Sequence, residues 1–102
     1  MAFSVKIIKD AEVDLRNAVE YIAYALCNPK AARDLNKEFI STIDTLCMFP
    51  YSRAKMSFSA KYPELYKTHV KNYIVFYTVS EEDSLITVVR ILHGGMDWEK
   101  LL

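Results

Sequence analysis

The chain has 102 residues, 52% of them apolar, with 13 basic and 13 acidic side chains. That length fits one domain, residues 1–102, burying roughly 60–65% of its unfolded surface, and the composition excludes a disordered chain. The zero net charge argues against a protein that coats nucleic acid over its whole surface. No apolar run approaches the ~20 residues of a membrane span, so no membrane association is expected. Met1 to Lys6 run straight into a strand pattern and do not read as a signal peptide. Cys27 and Cys47 make no disulfide framework and read as reduced core or near-core residues of a cytoplasmic protein.

Phe3, Val5 and Ile7 alternate with polar neighbours, which predicts a half-buried strand. Asp10 is the expected N-cap of a first helix, with Glu12 and Asp14 near its positive end. Ala11, Leu15, Ala18, Val19, Ile22 and Leu26 form its apolar stripe. Asn28-Pro29 punctuates: Pro29 suits the first turn of a second helix capped by Asn28. Ala32, Leu35, Phe39, Ile43 and Leu46 repeat helically, and Phe49-Pro50 ends the run. The helices should form an antiparallel hairpin lying on a sheet.

Tyr51 to Glu64 have no clear period and read as a loop with at most a short helical turn. From Tyr66 the pattern is β, with Tyr66, Thr68 and Val70 opposed to Lys67, His69 and Lys71. Lys71-Asn72 is the expected tight turn, Asn72 supplying the left-handed conformation. Lys71 to Val79 then form the most strand-like stretch, apolar on both faces and therefore central. Ser80 to Ser84 are a polar turn. Leu85 to Leu92 should alternate, with Ile86, Val88, Arg90 and Leu92 opposed to Thr87, Val89 and Ile91. Gly94-Gly95 ends the strand, and Asp97 opens a terminal helical turn. The expected fold is α+β and two-layered, in βααβββ order, with a helical hairpin packed on a mostly antiparallel sheet.

The cysteines and histidines lack metal-ligand spacing, no phosphate-loop or dinucleotide motif is present, and no metal or cofactor is expected. Between Tyr51 and Val79 there are five cations and one anion, a pattern compatible either with a basic patch on the sheet half or with a solvated strand face. The polar candidates on or beside the sheet are Arg53, Lys55, Lys67, His69, Lys71, Arg90 and His93. Metal-free RNA cleavage needs a base, an acid and cations for the strained phosphate. The alternative reading is structural: solvated lysines, a salt-bridged Arg90 and a strand-end His93. On an unbroken strand Arg90 and His93 point to opposite faces.

Several segments together resemble the RelE/ParE superfamily of bacterial toxins. They are Asp14-Leu15 with Tyr21-Ile22, Asn28-Pro29 with Ala31-Ala32, Leu46 with Phe49-Pro50, Val70 to Tyr73 with Phe76-Tyr77, Arg90 to Gly94, and Asp97 to Leu102. The resemblance implies the toxic half of a type II toxin–antitoxin (plasmid stabilisation) module, neutralised by a cognate antitoxin. RelE-like members cut mRNA on the ribosome without a metal; on that reading Lys67 and Arg90 would grip phosphate and His93 would act as acid or base. Arg53, Lys55, His69 and Lys71 would hold RNA. ParE-like members would instead poison DNA gyrase without cleavage, and a degenerate member would only bind its antitoxin. Lys67 stands where an arginine is common, and Gly95-Met96 where many relatives carry arginine; lysine keeps the charge but not the planar fork. Trp98, Met96, Met56, Phe58 and Tyr62 are the expected apolar contacts for an antitoxin.

Overall fold

The computed structural model describes residues 2–56 and 64–102. Their order is β1 (Ser4–Ile7), α1 (Lys9–Glu20), a π-helical turn (Tyr21–Ala25), α2 (Pro29–Met48), β2 (Ala54–Met56), β3 (Leu65–Val70), β4 (Tyr73–Ser80), β5 (Leu85–His93) and α3 (Trp98–Leu101). One sheet runs β1-β5-β4-β3-β2. Among the described strands only β1 and β5 pair in parallel. The α+β class and βααβββ order of the long elements hold. The short edge strand β2 falls where the sequence reads as loop, because three residues are too few to display a period.

α2 forms as its pattern dictates. Asn28 Oδ1 accepts from the Ala31 N–H at 3.1 Å, and Pro29 occupies the first turn. Ala32, Leu35, Phe39, Ile43 and Leu46 are all buried, the large ones contributing about 2 kcal/mol each by area.

α1 departs from its pattern at both ends. Ile8, not Asp10, is in the cap position, without a side-chain cap. The Ile8 N–H is still bonded to the Val88 carbonyl of the sheet, so β1 runs directly into the helix. Asp10 falls in the first turn, where it complements the dipole. At the far end the Leu26 N–H bonds to the Tyr21 carbonyl, five residues back. That extra residue rotates the stripe: Ile22 still packs on the core, but Leu26 is 56% exposed. Cys27 then takes a left-handed φ of 50°, a conformation costing a non-glycine residue about 1–2 kcal/mol. Cys27 is therefore exposed, not near the core; Cys47 is half-buried, and burial raises its thiol pKa.

The sheet is covered on both sides. Leu35, Phe39 and Leu46 of α2 pack with Val75, Tyr77 and Ile86 on the helix side. Leu65, Ile74, Phe76, Val89 and Leu92 face the other side, under Trp98 and Leu102. β4 is thus the central strand its two apolar faces predicted. β5 carries a bulge. Val88 opposes Tyr77 and Arg90 opposes Phe76, so Val89 has no cross-strand partner. Strict alternation therefore fails: Ile91 returns to the helix side with Ile86 and Val88, and Val89 joins Leu92. In the β3–β4 turn the left-handed residue is Lys71, with φ 55°, rather than Asn72. Asn72 instead offers its carbonyl to the Gly94 N–H at 2.9 Å.

Candidate functional site

Cross-strand pairing sorts the seven candidate residues onto different surfaces. Lys67 opposes Phe76, and Phe76 opposes Arg90. The three make one row on the α3 side, its ends about 10 Å apart at two strand spacings. α3 lies over this row. The Trp98 ring is 5.5 Å from Phe76, and Lys67 Nζ sits 5.4 Å from the centre of the Trp98 ring. Arg90 Nη1 donates to the Leu101 carbonyl at 3.3 Å. His69 faces the same side and is exposed.

Arg90 is held more tightly still by α1. Its Nε and Nη2 donate to the two Asp14 oxygens at 2.7 and 3.0 Å, and the Ile91 N–H donates to Asp14 Oδ2 at 3.0 Å. β1 pairs with β5 only as far as Val88, so Asp14 takes the edge position where a strand would continue. The two side chains are 24% and 13% exposed. From the sequence Asp14 reads as a helix-start acid. Its stronger signal is position: three residues after Ala11 and four before Ala18, it lies on the apolar stripe itself.

His93 opposes Tyr73, whose ring it meets edge-on at 5.3 Å, on the helix side. Its Nδ1 accepts from the Gly95 N–H at 3.0 Å, so a neutral ring carries its proton on Nε2. Lys67 and Arg90 are thus neighbours of one row, while His93 is on the opposite face. The three expected catalytic residues do not converge, because Arg90 and His93, three residues apart along β5, face opposite sides of the sheet.

Arg53 and Lys55 flank the other sheet edge. Arg53 Nε donates to Thr68 Oγ1 at 2.9 Å, and Lys55 Nζ lies 3.4 Å from Glu64 Oε1. Beside them Tyr51 meets Tyr66 edge-on, and Tyr66 stacks on Tyr77 at 5.5 Å. Tyr77 is fully buried, and its hydroxyl has no hydrogen-bond partner among the described residues. Burial pushes its pKa up to about 12, with the Arg53 charge pulling the other way.

Lys71 stands in the β3–β4 turn near Asp34. The Asp34 carboxyl is held below its usual range first by a hydrogen bond from Lys30 and more weakly by charges including Lys71. Here a cavity of about 330 Å³ opens between the π-turn, the start of α2 and the β3–β4 turn. A second hollow of about 250 Å³ follows the edge of β5 to Met96. Tyr21, Tyr73 and His93 line both, so the two make one trough.

The family model of the ParE toxin of the type II toxin–antitoxin system parDE matches residues 5–98. The chain belongs to that family. No curated protein gives a significant sequence match. Among solved structures the toxin is similar to a chromosomal ParDE system from P. aeruginosa, with TM-score 0.71, 16% identity, and 90% of this chain and 96% of that one covered. It is also similar to the archaeal RelE–RelB complex from Pyrococcus horikoshii, with TM-score 0.66, 22% identity, and 93% and 98% covered. The RelBE2 toxin–antitoxin complex of Mycobacterium tuberculosis follows at TM-score 0.61, 13% identity, and 91% and 99% covered. As the toxin of a type II module, the protein has a cognate antitoxin as its partner.

Of the apolar residues expected to meet that antitoxin, Trp98 packs half-buried on Phe76 and Met96 is 46% exposed. Met56 lies on β2, and Phe58 and Tyr62 lie outside the described residues. Among the described residues no helix is long and apolar enough to cross a membrane.

Proposed function

We propose that this toxin acts by binding its target, as a ParE-like poison of DNA gyrase, and not by cutting RNA. The observation that supports this reading is the state of Arg90. Its guanidinium is held by both oxygens of Asp14 and by the Leu101 carbonyl, and Lys67 in the same row lies against Trp98. With His93 across the sheet, no acid, base and cation flank one point among the described residues. A poison of this kind needs a stable surface rather than tuned proton transfer. Induction of the toxin alone should arrest growth, raise a DNA-damage reporter and leave message ends unchanged, with co-expressed antitoxin reversing the arrest. Arrest with a silent reporter would count against the proposal.

A second reading keeps the ribosome and mRNA as partners. It rests on the β2–β3 edge, where exposed Arg53 and Lys55 adjoin the Tyr51 and Tyr66 rings. Cations beside an exposed ring such as Tyr51, backed by the half-buried Tyr66, suit a single RNA strand. Ribosomes programmed with a defined message would decide it by primer extension. New ends lost in Arg53→Ala with Lys55→Ala would favour cleavage there, whereas intact message would remove that reading.

A further inference from the structure

The cavity beside the π-turn, of about 330 Å³, combines three kinds of surface in one volume. Tyr21, Tyr73 and His93 wall the end that it shares with the second hollow. The His93 and Tyr73 rings meet at 87°, and the corner between them receives one flat ring. Tyr21 is 56% exposed beside that corner. Burial holds the Tyr73 phenol above its usual pKa, and the nearby Tyr21 phenol adds to the rise. Ile22 and Leu35 make an apolar floor that packs on the core. A volume of this size lies at the small end of the roughly 300–1,000 Å³ that ligand sites occupy.

The rim of the same cavity is charged. Lys71 makes no ion pair among the described residues. The positive end of the 20-residue α2 opens beside it, and the two together favour an anion. Asp34 also lines the cavity, with its Oδ2 paired to Lys30 at 3.1 Å. An ionised carboxylate only accepts hydrogen bonds, so Asp34 repels an anion set against it and suits a hydroxyl donor. A wholly apolar ligand would strip water from Lys71 and Asp34 and give them nothing in return. The ligand that fits carries a flat ring, hydroxyls and one anionic group.

We infer that this cavity binds a ribonucleoside monophosphate, with its base against Tyr21, Tyr73 and His93, its ribose hydroxyls on Asp34 and its phosphate on Lys71. Every base has a π-face, so the rings give affinity without choosing among bases. The inference goes beyond gyrase poisoning and does not rest on it. The same unit exists free in solution and as one residue of an RNA strand, and the two sources are separated in the test.

The test is calorimetry on the full, purified toxin with AMP, 2′-deoxy-AMP, adenosine, ribose 5-phosphate and a short oligoadenylate. AMP should bind about tenfold tighter than adenosine or ribose 5-phosphate, and tighter than its 2′-deoxy form. Lys71→Gln should weaken AMP about tenfold and leave adenosine unchanged, because it removes only the phosphate partner. Tyr21→Ala should weaken AMP and adenosine together. Tyr24→Ala is the control, since Tyr24 is 78% exposed and lines neither hollow. Circular dichroism checks that each variant is folded. If Tyr21→Ala fails to fold, the two titrations of Lys71→Gln, which alters an exposed side chain, decide alone. No AMP binding at millimolar concentration overturns the inference. So does equal affinity for AMP and adenosine, or AMP binding that Lys71→Gln leaves unchanged. Oligoadenylate that binds no better than AMP supports the free nucleotide. Oligoadenylate that binds more tightly, and loses that binding in the same variants, keeps the site and overturns the free nucleotide as its source.

Discussion

The two helices of the hairpin make an instructive pair. α2 obeys its apolar period from Ala32 to Leu46, and every stripe residue is buried. α1 obeys its period to Ile22 and then breaks, because one extra residue in the π-turn carries Leu26 out to the surface. The strands repeat the contrast: β4 alternates as written, whereas β5 carries an extra residue at Val89. α2 and β4 build the core. The two insertions border the trough and set the Asp14–Arg90 contact at its edge. Regular elements hold the fold together, and irregular ones shape its surface.

Truncating Leu46 of α2 and Leu26 after the π-turn separates the two helical segments most clearly. Leu46 is fully buried, so Leu46→Ala should destabilise by about 3–4 kcal/mol in urea unfolding, transfer and cavity contributions together. A loss under about 1 kcal/mol would mean that α2 does not carry the core. Removing Asp14 comes next. Asp14→Ala removes the acceptor of Arg90 Nε and Nη2 and of the Ile91 N–H while the Leu101 carbonyl still holds Nη1, and should cost about 2 kcal/mol, less than for a fully buried pair. A neutral result would show that the β5 edge needs no substitute strand.

Tyr77→Phe should have the opposite sign. It removes a buried hydroxyl without a partner among the described residues, so stability should stay level or rise by about 1 kcal/mol. The same phenol makes a pH prediction. Its pKa is raised from 10.0 to about 12 in the folded protein. The unfolded chain therefore loses that proton first; stability is intact below pH 10 and drains as pH rises from 10 to 12. Alkaline melting curves of wild type should fall through that window, and those of Tyr77→Phe should fall less. The smallest effect belongs to Leu26→Ala, within about 0.5 kcal/mol, as for an exposed side chain. A loss approaching that of Leu46→Ala would refute the phase shift at the π-turn.

The same contrast explains what was legible in the sequence. The α2 cap, its stripe and the doubly covered β4 follow directly from Asn28-Pro29, from three- and four-residue spacing, and from alternation with both faces apolar. The π-turn, the Val89 bulge and β2 do not. An inserted residue shifts the phase of a pattern without altering its composition, and a three-residue strand has no phase to read. The site is the least legible part, because the faces of Arg90 and His93 depend on counting along β5. Strict alternation puts the two on opposite faces, which the structure keeps, but it puts Arg90 with Ile86 and Val88, whereas the bulge sets it beside Phe76. Asp14 shows the remaining gap: a carboxylate on a buried stripe needs a cation, and only the fold shows that the cation is 76 residues away.

The most direct measurement is a gyrase supercoiling assay with the purified toxin, run with and without its antitoxin, using relaxed plasmid and a stoichiometric excess of toxin. If the toxin poisons gyrase, supercoiling stops and pre-mixed antitoxin restores it. Normal supercoiling by gyrase in the presence of excess, folded and growth-inhibiting toxin would contradict gyrase poisoning and favour RNA cleavage at the Arg53–Lys55 edge.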